Sequence, residues 1–266
     1  MFRGTDSSIV GWKEDFDMGY ESPVPAQEEA VRYLEGIASR SIGPLRIAGH
    51  SKGGNLAAYA AAFCSKKTQD RIRRVCSFDG PGLSEEALES DGYKRIQPRL
   101  LSLIPKSSVV GMLLGYHTDY MVVEASKRGI LQHDSFSWQL NGPVFVRAED
   151  IDDKSAAFSD GMHQWLKDCT REERQTFVEA MFTVISATEA KTTGEIAAKK
   201  QEAINAMLTA MMKMDPELRR SALVSMGKLF ADTSAASVQH FYKRASEFFD
   251  GLPQPNSMLG DIQNIM

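Results

Sequence analysis

The chain has 266 residues, 42% of them hydrophobic and 25% charged. That balance belongs to a folded globular protein with room for one large core or two modest ones, and it excludes disordered and fibrous classes. A formal net charge of −4, with no basic stripe interleaved with aromatics, excludes nucleic acid as an expected partner.

In chain order, Met1-Phe2-Arg3-Gly4-Thr5 reads as the last residues of a strand, with the strand itself and an upstream portion expected before it. Residues 26–39 carry Ala30, Val31, Leu34, Ile37 and Ala38 at helical spacing. Four short apolar runs follow, at residues 45–48, 74–78, 100–104 and 120–123, with an Ala-rich helical segment at 53–65. Gly80-Pro81-Gly82 and Gly142-Pro143 punctuate strand ends. Short strands alternating with helical segments predict an α/β fold with a mostly parallel sheet and crossover helices. Beyond about residue 150 the periodicity is helical throughout, with helices expected at 154–168, 171–187, 195–213, 215–230 and 234–249. Thr170 before Arg-Glu-Glu and Pro216 after Asp215 are start signals, and Gly194, Gly227 and Gly251 mark expected breaks. The reading divides the chain into an α/β region (1–150), a helical region (151–251) and a loosely ordered tail (252–266).

Cys64, Cys76 and Cys169 are scattered and odd in number, which argues against a disulfide framework or a zinc site and fits a cytoplasmic protein. No apolar stretch reaches the roughly 20 residues of a membrane span, and no charged-then-apolar leader opens the chain.

Chemistry is concentrated at Gly49-His50-Ser51-Lys52-Gly53. A Gly-x-Ser-x-Gly match alone is weak, but here the serine follows an apolar run and opens a helical segment, the setting that a nucleophile on a tight strand-to-helix turn requires. The glycines let neighbouring backbone pass without a Cβ clash, and the helix aims its first amides, Lys52 among them, at a developing oxyanion. A Walker-type phosphate loop does not fit, because the lysine follows the serine between the wrong glycines. A serine hydroxyl needs a base. Of the five histidines, His50 sits beside the serine on the wrong side of the turn, and His163 and His240 fall in helices and are expected to face solvent. His133, in the polar loop Gln132-His133-Asp134 after the last strand, is the expected base, with His117 in reserve. The order serine, acid, histidine points to Asp79 at the end of the 74–78 run as the acid. Its alternatives are Asp119 and Asp134, and its competing role is to cap the glycine-rich turn that follows it.

Phe2-Arg3-Gly4-Thr5, Gly11-Trp12-Lys13-Glu14-Asp15-Phe16 and Gly49-His50-Ser51-Lys52-Gly53-Gly54-Asn55-Leu56-Ala57 together resemble the class 3 lipases. The chain looks closer to a bacterial lipase-like family of unknown function, in which Phe78-Asp79-Gly80-Pro81-Gly82 and Gln132-His133-Asp134-Ser135-Phe136-Ser137-Trp138 are typical. The resemblance covers about residues 1–147. It implies an α/β-hydrolase fold, Ser51 as nucleophile, His133 as base, and the amides of Thr5 and Lys52 as oxyanion donors. It departs at the acid: class 3 lipases carry theirs in an Asp-x-Val-Pro segment, and Pro105-Lys106-Ser107-Ser108-Val109-Val110 has none. Asp79 then substitutes from another strand.

The expected activity is a serine hydrolase acting without a cofactor or metal on a small-molecule or lipid ester, with residues 108–115 as a candidate acyl pocket or core segment. The helical region would cover the site or pair subunits in a homo-oligomer. The competing expectation is an inactive scaffold whose Met207, Met211, Met212, Met214 and Met226 form a partner surface or simply core. A carboxylate bonded to His133 favours the enzyme.

Overall fold

The computed structural model describes residues 1–6, 8–114 and 120–230. Within them the chain separates into two compact units: residues 1–6 with 21–163, and residues 8–20 with 164–230, the boundary falling inside helix Asp153–Asp168.

The first unit is α/β. Helix α1 (Ile9–Asp17) comes first in the chain but belongs to the second unit. The first unit then runs through α2 (Pro25–Arg40), strand β1 (Leu45–His50), α3 (Lys52–Phe63), β2 (Ile72–Phe78), β3 (Leu100–Pro105) and β4 (Tyr120–Val123). The four strands form one parallel sheet in the order β1-β2-β3-β4. Phe2 adds an isolated parallel bridge to Gly49, and its amide donates to the Ala48 carbonyl at 2.8 Å. Burial alternates along β1 and β2, where Arg46, Arg73 and Arg74 are exposed, and is continuous in β3 from Ser102 to Pro105. On one face α3 is buried along almost its whole length, from Lys52 to Ala62, and packs against β1, β2 and α2. Its alanines are what let it lie so close to the sheet, and Ile47, Ile72, Val75, Leu83 and Ile96 complete that core. Leu103, Val123 and Trp138 form a second cluster with Phe78 and Phe145.

Each strand expected from the sequence is present, as are the helices expected at 26–39, 53–65, 154–168, 171–187 and 215–230, with ends shifted by a residue or two. The helix expected at 195–213 is two, Thr193–Ala198 and Lys200–Lys213, broken at Lys199 with φ −113° and ψ 43°. Gly194 and Gly227 lie inside helices and break neither. The helix expected at 234–249, the tail and His240 fall outside the described residues.

The second unit is helical. The helix Arg171–Ser186 carries a capping box, in which Thr170 Oγ1 accepts from the Glu173 amide at 3.2 Å and the Glu173 carboxylate accepts from the Thr170 amide at 2.8 Å. It packs against helices Lys200–Lys213 and Pro216–Phe230 and against α1, where Phe16 meets Phe182 edge-on at 5.7 Å. The Gly11–Phe16 motif thus belongs to this unit although it lies near the start of the chain. Trp165 donates from its indole to the Ser225 carbonyl at 2.9 Å. Met207, Met211 and Met214 line, with Met181, Phe177 and Leu223, an apolar cavity of about 230 Å³. Among the described residues no helix is long and apolar enough to cross a membrane.

No disulfide joins Cys64, Cys76 or Cys169, and burial pushes the Cys64 thiol up to about 12. Only a thiolate alkylates readily. At pH 8 native Cys64 is therefore a protonated thiol, expected to resist iodoacetamide and to react once urea returns it to an ordinary value of about 8.5. Peptide mapping after a timed quench reads this directly; prompt modification in the native chain would contradict it.

Candidate active site

Ser51 is the residue between β1 and α3, and Asp79 is the residue after β2. The strands pair in register, His50 opposite Phe78, so the two residues leave adjacent rungs at the same carboxyl edge. That edge is where open parallel sheets place their ligands. Both residues hold a positive φ, 58° for Ser51 (with ψ −135°) and 48° for Asp79. Such backbone costs of order 1–3 kcal/mol in a residue with a Cβ and persists only where its surroundings over-determine it. Here they do. The Ser51 amide donates to the Phe78 carbonyl at 3.0 Å, and the Asp79 amide to the Leu103 carbonyl at 2.7 Å. A Cβ on Gly49 would run into the Gly53 carbonyl, and one on Gly53 would sit 2.8 Å from the Arg3 carbonyl carbon. A Cβ on Gly4 would lie 3.2 Å from that of Ser51, which brings the Phe2–Thr5 segment against the turn. Thr5 thus follows a residue that abuts Ser51, and Lys52 is the first residue of α3, buried to 7% exposure.

Asp79 is fully buried, and three donors converge on its carboxylate. Oδ2 accepts from His133 Nδ1 at 2.7 Å, while Oδ1 accepts from Ser108 Oγ at 2.5 Å and from the Gly111 amide at 3.1 Å. Because a carboxylate only accepts, Nδ1 carries the ring proton, which leaves Nε2 as an acceptor. At the turn after Asp79, the Asn55 side-chain amide donates to the Gly82 carbonyl at 2.6 Å. Ser108 lies in the stretch 105–110 that lacks the class 3 acid. A serine there hydrogen-bonds to the carboxylate that arrives from the neighbouring strand.

A family model described as Mbeg1-like matches residues 1–183. The chain belongs to the Mbeg1-like family. The family is lipase-like and related to the class 3 lipases. No curated protein and no solved structure matches the chain. The Mbeg1-like match runs further than the resemblance read from motifs, past helix Asp153–Asp168 and into Arg171–Ser186.

In this Mbeg1-like chain the Gln132–Trp138 motif has a structural account. Gln132 accepts from the Ser107 amide at 2.8 Å through its side chain and from the Trp138 indole at 2.8 Å through its carbonyl. Trp138 is itself buried against Phe78 and Phe145. His133 is thereby carried on a short 3-10 segment, Gly129–His133, with its side chain 26% exposed. Asp134 is not the partner of His133: it pairs with Lys127 at 2.6 Å, which holds its carboxyl below the usual range. His163, expected to face solvent, is half-buried, with Nδ1 donating to the Ser159 carbonyl at 2.8 Å. His117 and Asp119 lie outside the described residues.

The residue that sequence reasoning sets aside is His50. Its Nε2 donates to the His133 carbonyl at 2.7 Å, and the two rings lie 4.6 Å apart at 35°. Burial lowers its pKa, with the bond to His133 pulling the other way, so the ring is neutral near pH 7. Among the described residues no group of three or more His, Cys, Asp or Glu side chains is placed to hold a metal ion.

Proposed function

We propose that the chain is a serine hydrolase that cleaves a carboxylic ester of a small molecule or lipid through an acyl-enzyme on Ser51. The supporting observation is the bond from His133 Nδ1 to the carboxylate of fully buried Asp79, which follows the strand next to the one that leads to Ser51 on a strained strand-to-helix turn. Ser51 Oγ attacks the ester carbonyl while His133 Nε2 takes its proton, and Asp79 keeps the ring in the required tautomer and stabilises the imidazolium that forms. The amides of Thr5 and Lys52 hold the oxyanion of the tetrahedral intermediate. Its collapse releases the alcohol, which receives the proton from His133, and water activated by the same ring frees the acid and returns Ser51.

A fluorophosphonate reports an activated serine without requiring the natural substrate. The probe is expected to label the wild-type chain, tryptic mapping to place the adduct on Ser51, and Ser51→Ala and His133→Ala to remain unlabelled. A folded wild-type chain that does not label, or labels elsewhere, would replace this reading with that of a hydrolase-like scaffold without turnover.

A further inference from the structure

We propose that His50 is a positioning residue that ties the loop carrying His133 to the strand carrying Ser51, and so sets where the His133 ring stands relative to the serine. The inference rests on the hydrolase reading and deepens it. His50 is the last residue of β1 and the immediate neighbour of Ser51, so its backbone moves with the nucleophile. Its side chain reaches away from the chain's own path, to the carbonyl of His133 itself. One residue therefore bridges nucleophile and base, by a peptide bond on one side and a hydrogen bond on the other.

The need for such a tie follows from how His133 is otherwise held. Its loop is exposed at Leu131 and Phe136, and its buried anchors, Gln132 and Trp138, hold backbone on either side of His133 through bonds to the Ser107 amide, the Lys127 carbonyl and each other, none of which reaches the His133 ring. The bond to Asp79 fixes one ring nitrogen, yet a ring held at Nδ1 alone still pivots about that point. The bond from His50 couples the His133 loop directly to β1, and the His50 ring also lies against the His133 ring. A carbonyl only accepts, so the hydrogen is on His50 Nε2. A glutamine at position 50 places an amide near the Nε2 position, whereas the shorter asparagine cannot reach the carbonyl.

The test compares wild type with His50→Gln and His50→Asn, both polar, and with His50→Phe, which keeps a ring without a donor. Folding is checked by urea midpoint. Second-order fluorophosphonate labelling, and kcat against KM for p-nitrophenyl butyrate, are then measured. His50→Asn and His50→Phe are expected to lose roughly tenfold or more in labelling rate and kcat with KM little changed, the scale of a base displaced by part of an ångström, and His50→Gln to recover most of it. Equal rates in wild type and His50→Asn, or equal losses in His50→Gln and His50→Asn, would overturn the inference. A wild-type chain that does not label sinks the hydrolase reading instead. The positioning claim is then decided by proton NMR: the low-field resonance of His133 Nδ1–H should stay sharp in wild type and His50→Gln and broaden in His50→Asn, and a resonance unchanged in His50→Asn refutes it.

Discussion

Asp79→Asn is expected to fold and to lose fluorophosphonate labelling by roughly four orders of magnitude. The substitution is nearly isosteric, and the amide oxygen can still accept from Ser108 and Gly111 at the Oδ1 position. What changes is the atom facing His133. If the amide nitrogen takes the Oδ2 position it becomes a donor, and His133 must turn acceptor at Nδ1 and move its proton to Nε2, which is then unable to take one from Ser51. If instead the amide oxygen faces His133, the nitrogen meets the Gly111 amide and the network of Ser108 is broken. Either way the charge that would stabilise the imidazolium is gone. The measurement is a labelling rate on protein whose urea midpoint shows it folded. A loss smaller than about tenfold would mean that Asp79 holds the loops together and contributes nothing to the proton transfer.

The largest expected effect on stability comes from Gly49→Ala. The added Cβ would run into the carbonyl of Gly53, four residues on, and would meet the amide nitrogen of Gly54 as well. These are backbone atoms inside the first turn of α3, whose residues from Lys52 to Ala62 are buried, so no side chain can swing aside. Overpacking that forces backbone to shift costs about 1–3 kcal/mol, and a contact this close to rigid backbone stands at the upper end. A fall of that size in the free energy of urea unfolding is expected, with labelling lost because the turn no longer presents Ser51. A Gly49→Ala variant with an unchanged midpoint would show that the turn can open without harm. The same change at Gly43, where nothing lies within 4 Å of the added Cβ, meets no such wall and serves as a control for crowding, although its φ of 97° carries a strain of its own.

The parts of this molecule that are legible in the sequence are those whose physics is local. Strands β1 to β4 are each visible as short apolar, β-branched runs separated by turns and helical segments. The turn at Ser51 is legible because its glycines answer to contacts only a few residues away. Other features depend on partners distant in the chain. Helix α1 has no buried residue and packs on Arg171–Ser186, and although Ser8 caps it and Ile9, Trp12 and Phe16 stand at helical spacing, its nine residues are too short for that pattern to stand out. The break at Lys199 carries no glycine or proline to announce it. His50 escapes a sequence reading because chain order gives a residue's neighbours but not the direction of its side chain, and the bond to the His133 carbonyl spans 83 positions. The stretch 105–110 reads as a site with its acid deleted. In three dimensions Ser108 hydrogen-bonds to the buried carboxylate of Asp79, which follows β2, the strand next to the one that leads to Ser51.

That placement has a mechanical consequence. Ser51 and Asp79 are joined rung to rung through β1 and β2, so any bending of the sheet carries both together, as two teeth of one comb. His133 instead stands on a short 3-10 segment outside the sheet, held through Gln132, Trp138 and His50. Substitutions in the exposed part of that segment, such as Leu131 or Phe136, would shift the histidine while leaving Ser51 and Asp79 on their strands, whereas Trp138, packed against Phe78, Leu103 and Val123, belongs to the frame.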